Sequence, residues 1–220
     1  MSNHNLHYAL SAARLSTFEN ALSNHPQFSD LAEFYMWNAQ ISAAFLVPLH
    51  FVEVVSRNAI AQAIEIKFGE RWPWSAQFER SLPNAGPNHY QHRNELIRTR
   101  EKFRHTGQVI AELKFVFWQT MMTKRFYQSL WQNHIQQIFP NFNNHATAEQ
   151  NRLRVYNDLE RIRRLRNRIA HHEPIFNRDL QADYDAITDL IQARCQHTAQ
   201  WMQTHQQVTP LLSKIKRTQP

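Results

Sequence analysis

Apolar residues recur along this chain at spacings of three and four, and no stretch alternates apolar and polar positions between hairpin turns, so the pattern predicts helices and no strands. Residues 5–24 read as one or two short helices. Ser29 and Asp30 offer an N-cap for a helix over 31–47, which Pro48 breaks or restarts, since proline has no N–H to donate. A helix over 49–68 follows with Gly69 as its stop and Val52, Val55, Ala59, Ala63 and Ile66 as its inner stripe. Residues 71–88 carry Pro73, Pro83, Gly86 and Pro87 and read as a long ordered loop, with Trp72 and Trp74 as exposed aromatics. A charged helix over 89–105 is stopped by Gly107, and a strongly apolar one over 109–123 follows. Phe115, Phe117, Trp118, Met121 and Met122 occupy more than one face of the latter, which marks it as central. Residues 125–139 continue helical to Pro140. A further helix spans about 146–172, Asp179 caps a last long one through about Met202, and 208–220 form a basic tail. The expected architecture is one all-α domain over residues 1–220.

The helix over 146–172 holds the chemistry. Projected at about 100° per residue, Val155, Leu159, Ile162 and Ile169 share one stripe, with Tyr156 and Leu165 on its flanks and Arg166 inside it. A guanidinium among apolar neighbours is costly unless it meets an anion or a set of acceptors. Asn167 and His171 stand one turn apart, close enough for a side-chain hydrogen bond, and Pro174 disfavours helical geometry at Glu173, so the helix stops near His172. Several assignments fit these residues. Arg166 could form a structural ion pair with Glu53, and Arg152, Arg154, Arg161, Arg163, Arg164 and Arg168 could be a solvated face. His171 and His172 could be helix-end residues favoured by the macrodipole. Metal binding by His171, His172 and Glu173, or by His89 and His92, is disfavoured because adjacent helical residues point about 100° apart. Glu53 and Arg57, one turn apart, and Asn58 beside them could be a surface salt bridge and a core polar contact.

Composition narrows the partners. The 220 residues suffice for one well-buried core, and 42% hydrophobic and 12% aromatic content supports a packed fold. A net charge of +7 points to a polyanion, with RNA, DNA and an acidic lipid surface all open. The single cysteine, Cys195, excludes an internal disulfide and a multi-cysteine zinc site and suits a reducing cytoplasm. Residues 1–15 lack a secretory signal. The most apolar window, 41–55, is interrupted by Pro48, His50 and Glu53 and is expected to be too short and too polar to cross a membrane.

The order Arg166-Asn167-x-x-x-His171 resembles the signature of the HEPN ribonucleases, and the longer run Leu-Arg-Asn-Arg-Ile-Ala-His-His-Glu-Pro-Ile-Phe from Leu165 is similar to the Abi-like (abortive infection) branch of that superfamily. A second block fits the same branch: Tyr35-x-Trp37-Asn38, Ala44-Phe45-x-x-Pro48-Leu49, and Glu53-x-x-x-Arg57-Asn58-Ala59-Ile60. With Phe117-Trp118 the resemblance covers most of the chain. It implies a HEPN-like helical bundle with additional N-terminal helices and a metal-independent endoribonuclease without cofactors. Arg166 and His171 are then catalytic, supported by Asn167, His172, Glu173, Glu53, Arg57 and Asn58, while Arg161, Arg163, Arg164 and Arg168 are candidates to hold RNA. It further implies a homodimer with a composite site, a role as toxin or effector in anti-phage defence, and an antitoxin protein or non-coding RNA as a further partner.

Cleavage of RNA by its own 2′-hydroxyl needs a base, an acid and positive charge on the transition state. Histidine, with an ordinary pKa of about 6.5, can serve either proton-transfer role, and a guanidinium matches two phosphate oxygens. One chain carries a single motif, so the second proton-transfer group comes either from a two-fold partner or from His172. The alternative is a non-catalytic RNA-binding or toxin-regulating module. A DNA-binding regulator is less favoured, because the chain shows no short helix-turn-helix with a glycine turn.

Overall fold

The fold is given by a computed structural model, which describes residues 3–84, 86, 89–142 and 145–216; Pro87 and Asn88 of the expected loop and 217–220 of the tail lie outside them. All regular structure among these residues is helical. In chain order the helices are α1 (Asn3–Leu10), α2 (Ala12–Leu22), α3 (Leu31–Phe68), α4 (Ala76–Ser81), α5 (His92–Lys102), α6 (Thr106–Glu112), α7 (Phe115–Met121), α8 (Ile135–Ile138), α9 (Ala148–Ala170), α10 (Leu180–Arg194), α11 (Gln196–His205) and α12 (Val208–Lys216).

Capping chemistry explains where the longer helices begin and end. Asp30 accepts from the Glu33 N–H at 2.8 Å while Glu33 reaches back to Ser29, and Gly69 ends α3 at φ +81°, a conformation glycine adopts without strain. Thr147 and Gln150 form a reciprocal capping box at the start of α9, and Asp179 caps α10 through the Ala182 N–H.

Pro48 does not break the chain. α3 runs 38 residues, about 57 Å, straight through it. A mid-helix proline costs about 3 kcal/mol, but Phe45, Leu49 and Val52 around it are buried, at about 1.5–3 kcal/mol each, and that packing outweighs the local cost. Because α3 is unbroken, it is long and apolar enough to cross a membrane by length and composition, contrary to the expectation from 41–55. Here it is the central helix, against which α2, α7, α9, α10 and α12 pack. Its stripe also shifts: Val52, Ala59 and Ala63 are buried as expected, whereas Ile66 is exposed and Ile60 and Ile64 replace it inside.

Further corrections follow from packing. Trp72 is fully buried against Phe78 and Trp118, so the stretch after Gly69 is core, and it contains a 3-10 turn and α4. Gly107 lies inside α6 instead of ending a helix. The apolar helix expected over 109–123 is two helices, bent at Lys114, whose N–H donates to Glu95. Residues 124–131 form 3-10 and π turns. The last long helix splits into α10 and α11 at the extended Cys195, and the tail begins with α12, whose Val208 and Leu212 are buried. Phe117 and Trp118 are core, as the several apolar faces of that segment predict, and Phe34 and Trp37 of α3 are buried too.

Candidate functional site

α9 buries Val155, Leu159, Ile162, Leu165 and Ile169. Leu165 thus fills the inner position at the level where periodicity put Arg166. The Arg166 side chain is 47% exposed and reaches across to α3, where its Nε stands 3.4 Å from Glu53 Oε1. The ion pair considered from the sequence therefore exists, but it is not buried.

Both residues line a half-open cavity of about 960 Å³ between the N-terminal helices, α3 and the end of α9. Arg14, Arg57, His50, His172 and Glu173 share its wall, and Leu10, Phe18, Leu46, Leu49 and Ile169 supply an apolar floor. Three guanidiniums face two carboxylates, so the cavity carries net positive charge even with neutral histidines. Arg57 Nη1 donates to the carbonyl of Ala111 at 3.5 Å, in the last turn of α6, while its buried Nε has no partner among the described residues.

The turn after α9 decides which histidine enters. α9 ends at Ala170 and His171 is its C-cap, its N–H bonded to the Asn167 carbonyl at 3.0 Å. His172 then adopts φ +55°, the His172 N–H returns to Ile169 O and the Glu173 N–H to Arg168 O. This double return is a Schellman closure with histidine where glycine is usual. It carries His172 and Glu173 to the cavity wall, whereas His171, exposed as they are, stands outside the lining. Asn167 makes no side-chain hydrogen bond to His171 among the described residues; the one-turn link between them runs through the backbone. Side chains fix the same turn: Arg14 donates to the His172 carbonyl, Arg168 donates through Nε and Nη2 to the Pro174 carbonyl at 2.9 and 2.7 Å, and Asn38 accepts from the Ile175 N–H at 2.9 Å.

Of the remaining sequence candidates, Asn58 is exposed and lies outside the cavity lining. The arginines assigned to RNA are engaged within the chain. Arg161 donates to Asp183, itself 1% exposed and also bound by Arg178. Arg163 and Arg164 share Glu160, and Arg168 holds Pro174. Burial pushes the Glu160 carboxyl up, but hydrogen bonds from Gln119, Arg164 and Arg163 outweigh it and hold it below the usual carboxylate range. Arg161 and Arg164 line a smaller hollow of about 440 Å³ with Asn157, Asn177 and Asp179, away from the large cavity. No group of three or more histidine, cysteine, aspartate or glutamate side chains among the described residues is placed to hold a metal ion.

Two wall residues had escaped notice. His50 was legible, because with Glu53 and Arg57 it follows a three-then-four spacing along one face of α3. Arg14 gave no local signal. Leu46 on the cavity wall is exposed, and outside the lining Val47 and Trp201 on α11 are exposed apolar residues, Trp201 packing edge-on against Phe51 at 5.2 Å. Comparison with family models, with curated proteins and with solved structures finds no match to this chain.

Proposed function

We propose that this protein is a metal-independent endoribonuclease of the HEPN type, Abi-like in its motifs, acting in the cytoplasm as a toxin or effector of anti-phage defence. The observation that carries the proposal is the convergence of Arg166 with Arg57, His50, His172 and Glu53 on one half-open cavity at the end of the motif helix. Arg166 exchanges its loose pairing with Glu53 for two phosphate oxygens, and Arg57 adds charge for the developing dianion. One imidazole takes the proton of the 2′-hydroxyl and a second protonates the departing 5′-oxygen. Within one chain, His172 and His50 are the imidazoles that line the cavity. His171, exposed at the helix end, joins the chemistry when two copies bring their motif helices together in a homodimer. An antitoxin, protein or non-coding RNA, then acts by covering the cavity mouth.

The test is incubation of purified protein with single-stranded RNA in EDTA, followed by end analysis. Cyclic 2′,3′-phosphate and 5′-hydroxyl ends are expected from wild type, and loss of cleavage from Arg166→Ala, His171→Ala and His172→Ala. Mixing Arg166→Ala with His171→Ala protein restores part of the activity if each site draws on both copies. Full activity in both His171→Ala and His172→Ala rejects the catalytic assignment. One observation favours the second reading, a non-catalytic RNA-binding or toxin-regulating module: the motif histidine His171 stands outside the cavity. Salt-sensitive RNA binding without products supports that version.

A further inference from the structure

Asn38 lines the same cavity from α3, is 7% exposed, and has one side-chain hydrogen bond. That bond fixes its orientation. The Ile175 N–H is a donor, so the atom 2.9 Å from it must be Oδ1, and the amide cannot flip. Nδ2 therefore has two N–H donors and no protein partner among the described residues, in a side chain more than nine-tenths buried at the cavity wall. Nδ2 is not sealed from solvent, so its donors open onto the cavity space. One turn before Asn38 on α3 stands the half-buried Tyr35, packed on Phe18 at 4.9 Å. A flat apolar wall with one immobile donor matches an unstacked nucleobase, whose faces stack on aromatic rings and whose edge offers ring nitrogen or carbonyl acceptors. The cavity volume, about 960 Å³, exceeds what one phosphate group needs and lies in the range of sites for whole small molecules.

We propose that this end of the cavity is a nucleobase subsite for single-stranded RNA. Asn38 and the Glu53 that Arg166 faces are 15 residues apart on α3, about 22 Å along its axis, so the fixed Nδ2 donor of Asn38 orients a base a few nucleotides from the phosphate held by Arg166. The inference rests on the ribonuclease assignment for its cleavage readout but not for its binding readout. Asn38 is a specificity-determining residue here, touching the base and not the reacting bond. Asn38→Asp keeps the acceptor for Ile175 and replaces the free donor by an acceptor, so the fold is retained and the base signal is lost.

The experiment sequences the product ends from a randomised single-stranded RNA cut by wild-type and Asn38→Asp protein, with melting temperatures as control. Wild type is expected to prefer, at one position a few nucleotides from the cut, bases offering an acceptor to the amide, and Asn38→Asp to lose that preference by about tenfold. A flat wild-type profile, or a folded Asn38→Asp protein with an unchanged profile, overturns the subsite. Should the variant fail to fold, wild-type protein is measured with a defined 12-nucleotide RNA carrying an abasic residue at the preferred position. Weakening of about tenfold supports the subsite; equal binding and cutting overturn it. If wild type cuts no RNA, the ribonuclease assignment falls by itself, and single abasic substitutions at each position of the same oligonucleotide still decide the subsite by affinity.

Discussion

Arg166→Ala separates a catalytic cation from a structural one. The side chain is 47% exposed, and its partner Glu53, 30% exposed, stands 3.4 Å away. Water screens such a pair, which contributes less than about 1 kcal/mol. In a chain of 220 residues 1 kcal/mol moves Tm by about 2–4 °C, so the variant should melt no more than about 4 °C below wild type. Asp183 gives the contrast on the same helix. It is 1% exposed and takes hydrogen bonds from Arg161 and Arg178 at 2.7–2.8 Å, so Asp183→Ala leaves two guanidiniums facing an emptied acceptor site and costs about 3–5 kcal/mol. A Tm drop of about 10 °C follows. Activity runs the other way: Arg166→Ala loses at least about 10²–10³ in rate with the cation that meets the transition-state charge, whereas Asp183→Ala still cuts below its own Tm. Circular-dichroism melts and initial rates on single-stranded RNA in EDTA decide the matter. An Arg166→Ala protein that melts 10 °C low and cuts at the wild-type rate refutes the reasoning outright.

Three further outcomes are expected. Burial pushes the Asp158 carboxyl up to about 6 and His92, bonded to Thr120 at 2.7 Å, down to about 4. The folded state thus holds the Asp158 proton more tightly than the unfolded chain, so that contribution is lost as pH rises from about 4 to 6, while the contribution of neutral His92 is lost as pH falls from about 6.5 to 4. The two slopes, each worth roughly 3 kcal/mol in total, oppose one another. Urea melts across this window should show stability rising with pH in Asp158→Asn and falling with pH in His92→Gln; parallel slopes in the two variants refute the assignment. His172→Gly relieves the positive φ and should raise stability by up to about 1 kcal/mol while removing a cavity imidazole, so Tm rises as cleavage falls. Cleavage should persist in excess EDTA, and its loss there points to a metal-dependent reaction.

Local rules settled much of this fold from the chain alone. The caps at Asp30, Gly69 and Asp179 and the apolar stripe of α9 all depend on residues within four positions of one another, where helical geometry fixes who meets whom. The pairing of Arg163 and Arg164 with Glu160 belongs to the same class, whereas Glu53 and Arg57, one turn apart, pair with Arg166 and the Ala111 carbonyl and not with each other. Other features depend on contacts between distant segments, which no spacing encodes. Packing around Pro48 carries α3 through a residue that propensity rejects, and a buried Trp72 converts an expected loop into core. Asn38 holds Ile175 across 137 positions, Arg14 holds the His172 carbonyl across 158, and between them they set a left-handed turn that periodicity, extended past Ala170, has no means to foresee. That turn selects His172 over His171 for the cavity wall. Sequence determined that the chain is all helical and which residue types stand at the end of α9, while tertiary packing decided where several helices break and which side chains share one space, because the energy that fixes the turn comes from partners far away along the chain.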